Sequence, residues 1–353
     1  MSGNSEKLIS QVICEAQERV LEEYSESLLF GLGVNDPKRV FGTTHLLVEK
    51  FGRSRVFETP TAENSSLGIA LGLSISGFKP IVVHQRLDFF LLAMDQLVNG
   101  AAKWRFMFGD SYNTSMIIRL IIGRGWGQGP THSQNLHSWF AHIPNLRVLY
   151  PTFAEDFASI YTHAFEQPYP VIVLEDRWIH QSKALTSKPP EHRSLGTARV
   201  VQRGKDLTLV TFGFNTLLGI KAAKFLEKFG VSVELIDLVS IKPISWNTIY
   251  ESVSITQRLV VVDSGFEIAS LGSYIADSVY RKMFGLMKSP IIVCTAGDYA
   301  EPTSYGVIGK LKIDSITIAK AVIKCLNIDS KLDYEELRPQ LVDVPDSSFQ
   351  GPF

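Results

Sequence analysis

Cysteine is scarce. The chain has 3 in 353 residues, Cys14, Cys294 and Cys325, widely spaced and with no C-x-x-C pair. That spacing argues against a disulfide framework or a cysteine zinc site and fits a reducing compartment. Charge of one sign is also missing: 35 basic against 36 acidic residues leave a net charge of -1, so nucleic acid is not an expected partner. No apolar run reaches membrane-spanning length, and Met1 to Lys7 lack both an apolar signal core and an Arg-rich transit character. These absences predict a cytoplasmic protein with no membrane partner. The Walker ending, the GxGxxG spacing and HExxH are absent too. His137 and His142 lie 5 apart without an acidic partner, so no metal is assigned to them.

What is present is apolar material, 45% of the chain, enough for two domains at a length where one core usually splits. After an amphipathic helix over Leu8 to Ser25, short apolar runs alternate with helical stretches, which predicts an α/β fold with mainly parallel sheets. Arg55 to Glu58, Pro80 to His84, Met116 to Ile122, Leu146 to Tyr150 and Val171 to Glu175 read as strands. Asn64 to Ser76, Asp88 to Phe108, Gln134 to Ala141 and Glu155 to Glu166 read as helices. Ser182 to Gly196, with paired prolines, reads as a linker. A second α/β unit follows, with strand-length runs at Leu207 to Phe212, Val233 to Leu238, Leu259 to Asp263 and Ile291 to Thr295. The predicted division is 1–181, a linker over 182–196, 197–328, and an acidic, proline-containing tail over 329–353 that wraps a neighbour or stays mobile.

Four groups of residues could carry chemistry. Glu63 leads a small-residue helix that is otherwise nearly uncharged; a buried acid there is either paired or reactive, and the alternative is a charge placed on the helix macrodipole. The stretch 123–134 carries four glycines and ends near His132, either a general acid or base or a histidine satisfying loop carbonyls. Phe89 and Phe90 are core packing or a flat wall for a heteroaromatic ligand. His84, Gln85 and Arg86 close an apolar strand at the end where α/β sites collect; they face a ligand, or Arg86 forms a surface ion pair.

In order, these pieces resemble the beta subunits of thiamine-diphosphate-dependent 2-oxo acid dehydrogenases, the decarboxylating component of the pyruvate and branched-chain type. The likeness runs from about Ile9 to Asn327. Glu58-Thr59-Pro60-Thr61-Ala62-Glu63, with Gly68, Gly72, Gly77 and Pro80, is similar to the family's D-T-P-I-x-E block. Phe89 through Lys103 resembles its F-x-x-F-x-x-x-A-x-D-Q block, and His132 through Val148 its H-S-Q-S-L-E-A-W-F-A-H block. In the second half, Ile236-Asp237-Leu238 with Ile241-Lys242-Pro243, and Val261-Val262-Asp263-Ser264-Gly265, look like the family's D-L-R-T-I-x-P and V-V-x-E-x.

The resemblance implies a pyrimidine-binding domain followed by a transketolase C-terminal domain. It implies that Glu63 hydrogen-bonds the ring nitrogen of the cofactor's aminopyrimidine, favouring the tautomer that deprotonates the thiazolium. Decarboxylation of a 2-oxo acid depends on that step. Phe89 would stack on the aminopyrimidine, and His132 would guide proton movement or acyl transfer to a lipoyl group. The G-D-G motif and downstream asparagine that hold the diphosphate through Mg²⁺ are absent, so the resemblance implies an alpha-type partner carrying them, in an alpha2beta2 assembly, with a lipoylated acyltransferase as acceptor.

Departures from the pattern point to an unusual substrate. Leu32 stands where the family has the acid of L-x-G-E-x-V, and Val239 replaces the arginine of D-L-R-T-I. His84, Gln85 and Arg86 replace aromatic or aliphatic residues, which suggests recognition of an anionic or polyhydroxy group. Two alternatives stay open. One is the C-terminal half of a split transketolase-type ketol transferase, favoured by Gly129-Pro130-Thr131-His132. The other is a non-catalytic regulatory subunit, suggested by the acid lost at Leu32.

Overall fold

In the computed structural model the described residues are 7–124, 127–183, 195, 197–329, 331–339, 341 and 343. They fall into two compact units: one of described residues up to 123 and from 139 to 195, the other of 124–138 and those from 197 onward. Most of the expected linker, and most of the tail beyond 339, lies outside the described residues.

The first unit holds β1 (Ser27–Gly31), β2 (Val56–Glu58), β3 (Lys79–His84), β4 (Ile117–Ile122), β5 (Arg147–Leu149) and β6 (Val171–Asp176). They run in the order β5-β6-β4-β3-β1-β2, every neighbour parallel, with Leu29 opposite Ile81, Ile81 opposite Ile117 and Ile117 opposite Val171. β4 reads Ile-Ile-Arg-Leu-Ile-Ile and is buried throughout, the continuous apolar pattern of a sheet covered on both faces. Its helices are α1 (Ile9–Glu23), α2 (Leu47–Phe51), α3 (Glu63–Ile75), α4 (Leu87–Phe90), α5 (Trp104–Phe108), α6 (His137–His142), which begins in the second unit's segment, α7 (Ala154–His163) and α8 (Arg177–His180).

Arg119 sits in β4 with no exposure. Its guanidinium donates to both oxygens of Glu175 at 2.6 and 2.7 Å, to Gln17 of α1 at 2.8 Å and to Thr43 at 2.8 Å. His180 and Tyr161 complete the Glu175 shell at 2.9 and 3.2 Å. A buried charge survives only when paired in this way. The network ties α1, α7 and α8 to the middle of the sheet.

The helix expected over Asp88 to Phe108 is broken. After α4 come a 3-10 turn (Leu91–Ala93), a π turn (Gln96–Ala101), in which the Ala102 N–H reaches the Leu97 carbonyl at 2.9 Å, and then α5. The cause lies in the small-residue contact with α3. A side chain at Gly100 would meet Leu71 Cδ2 at 2.9 Å, and one at Gly68 would meet Gln96 at 3.2 Å. The segment approaches α3 so closely that a regular helix gives way to a wider turn.

The second unit holds β7 (Arg199–Gln202), β8 (Leu207–Thr211), β9 (Val233–Asp237), β10 (Ser240–Lys242), β11 (Leu259–Phe266) and β12 (Ile292–Ala296). Five of these form a sheet ordered β12-β11-β8-β9-β7, parallel except for the edge strand β7. α9 (Phe214–Glu227), α10 (Trp246–Thr256), α11 (Leu271–Met283), α12 (Tyr305–Leu311) and α13 (Ser315–Leu326) accompany it. Leu209, Leu235, Val260, Ala222, Ile318 and Val322 share its buried core. Among the described residues no helix is long and apolar enough to cross a membrane.

Candidate active site

β1 and β3 are parallel neighbours, so the loops leaving their carboxyl ends emerge side by side. Gly31 pairs with Val83, and the Leu32 N–H bonds the Val83 carbonyl at 3.0 Å, which sets Leu32 next to the end of β3 at His84. Gly31 must be glycine: its φ is +144°, and a Cβ there would lie 2.1 Å from the Val83 carbonyl oxygen. The next turn is fixed by Glu58, whose carboxylate accepts from the N–H groups of Gly33 (2.6 Å) and Asn35 (2.9 Å).

Leu32, Glu63, His84, Gln85, Arg86 and Phe89 line one pocket of about 60 Å³. Five of the seven side chains singled out from sequence therefore meet in one place. Glu63 opens α3 and is only 4% exposed, so it occupies a helix N-terminus and a buried pocket wall together. The two phenylalanines divide: Phe90 is fully buried, 5.8 Å from the Phe140 ring, whereas Phe89 is 41% exposed and faces the pocket. The Gln85 amide donates to Asp36 at 3.0 Å, which occupies a donor that substrate recognition would use. Arg86 is half-buried; burial lowers its pKa, and nearby Asp88 opposes that shift.

His84 is 2% exposed, and neither ring nitrogen has a hydrogen-bond partner among the described residues. Burial pushes its pKa down to about 3, so the ring is neutral at physiological pH. Its edge packs on Phe90, with ring centroids 4.8 Å apart.

His132 belongs to the second unit and does not line this pocket. It is partly buried, with Nδ1 3.0 Å from Thr131 Oγ1. The segment around it is held from several sides. Arg124 pairs with Glu301 at 3.5 Å, the Gly127 N–H donates to Asp343 at 2.7 Å, and Asn135 donates to Ser264 at 2.6 Å. Ser138 Oγ accepts from the Leu271 N–H at 3.1 Å.

Sequence reasoning missed the anchor of this segment, the buried pair His137–Asp263 at 2.9 Å. Asp263 also accepts from the N–H groups of Gly265 (2.7 Å) and Gly272 (2.8 Å). Burial alone would raise its pKa, but the imidazole and these N–H groups hold it below the usual value. One signal was available: His137 stands where the family pattern has glutamate. Among the described residues no group of His, Cys, Asp or Glu is arranged to hold a metal ion.

The pocket fits an aminopyrimidine. It offers a carboxyl group for a ring nitrogen, a flat apolar face, and an imidazole with open donor and acceptor sites.

The transketolase pyrimidine-binding domain model matches residues 9–181, and the transketolase C-terminal domain model matches 196–313. A protein of Rhizobium meliloti named pyruvate dehydrogenase E1 component subunit beta is 32% identical over 295 residues, covering 83% of this chain and 64% of that one. The mitochondrial protein of the same name in Saccharomyces cerevisiae is 31% identical over 333 residues, 93% of this chain and 91% of the relative. In fold, a solved structure described as a split gene transketolase, inactive beta4 tetramer, superposes with a TM-score of 0.72 at 22% identity, covering 91% of this chain and 99% of its own. The chain therefore belongs to the transketolase-like family of the pyruvate dehydrogenase E1 beta subunits.

Proposed function

We propose that this chain is the beta subunit of a thiamine-diphosphate-dependent enzyme that decarboxylates a 2-oxo acid and passes the acyl unit on. The observation that carries the reading is the shared pocket of Glu63 and Phe89. When bound, the cofactor supplies an electron sink for decarboxylation. Glu63 holds a proton at the aminopyrimidine ring nitrogen, in a position sheltered from water. Phe89 presents a flat face that orients the ring, and Leu32 keeps that end of the pocket dry.

Arg86 holds an anionic or hydroxylated part of the substrate, with His84 and Gln85 shaping the wall beside it. His132 moves a proton during acyl transfer, and the His137–Asp263 pair fixes the segment that carries it. The diphosphate and its Mg²⁺ are held mainly by an alpha-type partner, because this chain has no G-D-G motif. A lipoylated acyltransferase is the proposed acceptor.

The split transketolase reading keeps the same cofactor pocket and is favoured by Gly129-Pro130-Thr131-His132. Assay of the co-purified assembly with 2-oxo acids against sugar phosphates separates the two. Turnover of sugar phosphates alone would replace decarboxylation with ketol transfer. No cofactor-dependent turnover with either class would leave the regulatory-subunit reading.

A further inference from the structure

Among the described residues, His84 is a buried polar group without a hydrogen-bond partner. Both ring nitrogens lack a hydrogen-bond partner among these residues at 2% exposure, a condition that is costly unless something completes it. The ring lines the same pocket as Glu63, and its packing against Phe90, itself packed on Phe140, leaves it little room to turn away. Burial keeps it neutral, so one nitrogen donates and the other accepts. An aminopyrimidine matches that pair, since its exocyclic amine donates and its ring nitrogens accept.

The same pocket has lost polarity at Leu32, where the family pattern carries an acid, and gained it at His84, where the pattern is apolar. We propose that His84 contacts the cofactor's aminopyrimidine and takes over, as a neutral imidazole, the polar role left vacant by the acid missing at position 32. The proposal rests on the aminopyrimidine reading of the pocket.

The test uses the full chain, labelled with ¹⁵N-histidine and titrated with the free aminopyrimidine fragment of thiamine. Binding is followed by saturation transfer, and the His84 signal is assigned by its loss in His84→Phe. Fragment binding is expected to shift the His84 ring nitrogens. His84→Phe should weaken binding about tenfold, as loss of one buried hydrogen bond implies. His84→Gln, which keeps a donor and an acceptor, should retain most of the affinity, and Leu32→Glu combined with His84→Phe should regain part of it. Thermal melts check that each variant folds. If the wild-type chain binds, Glu63→Gln abolishes binding, and yet the His84 signals stay still and His84→Phe binds normally, this inference falls while the aminopyrimidine reading survives. If the wild-type chain does not bind the fragment, both fall.

Discussion

Glu63 is where local and global demands coincide. A carboxylate at the first position of α3 is favourable on macrodipole grounds alone, yet its 4% exposure and pocket position set it apart from a solvated helix charge. Glu63→Gln is expected to cut cofactor-dependent turnover by about 100-fold or more, the scale at which a positioned proton-transfer group acts, while leaving the melting temperature nearly unchanged. Steady-state assay and thermal melts of the two proteins check this. His84 leaves a separate mark on stability. Its folded pKa of about 3 lies below the ordinary histidine value of 6.5, so the unfolded chain binds the extra proton. Its contribution is therefore fully present above pH 6.5 and is lost as pH falls toward 3. Unfolding free energies from urea titrations between pH 7 and 4 should decline by up to about 1.4 kcal/mol per pH unit from this group, and His84→Phe should flatten that slope.

At the scale of elements, one buried network fixes α1, α7 and α8 to the first sheet. The Arg119–Glu175 pair is buried completely, and removing one partner leaves an unpaired charge. Arg119→Met should cost about 3–5 kcal/mol, read as a fall in the urea midpoint. Burial alone would raise the Glu175 pKa, but Arg119 and His180 hold it at about 2, against 4.5 for the free group. Its stabilisation is present above pH 4.5 and disappears as pH drops through 2. Glu175→Gln should remove that part of the acid sensitivity. The elements themselves were largely legible. β3, β4, β6 and α3 carry runs or patterns long enough to read, and their positions predicted the edge at which Glu63, His84, Arg86 and Phe89 meet. β1 was missed because five residues between a helix and a glycine loop carry no periodicity of their own. The break between α4 and α5 was hidden because it arises from contact with α3, and the His137–Asp263 pair because its members lie far apart in sequence.

At the scale of the whole molecule, the proposed function gives this chain one half of a catalytic apparatus. It has the residues suited to the aminopyrimidine end of the cofactor and none of the motif for its diphosphate. Its three cysteines reinforce a reading without thiol chemistry: burial is the main cause raising each pKa, to about 11 for Cys14 and Cys294. Thiol labelling of the native chain at pH 7.5 should be slow compared with the unfolded chain. The proposed function requires that this chain activate a cofactor held jointly with a second chain. The most direct measurement is 2-oxo acid decarboxylation, with thiamine diphosphate and Mg²⁺ supplied, by the isolated chain, by its co-purified assembly, and by the same assembly carrying Glu63→Gln. Activity in the assembly alone, lost with Glu63→Gln, is the predicted result. Undiminished activity in the Glu63→Gln assembly, or equal activity in the isolated chain, would contradict it.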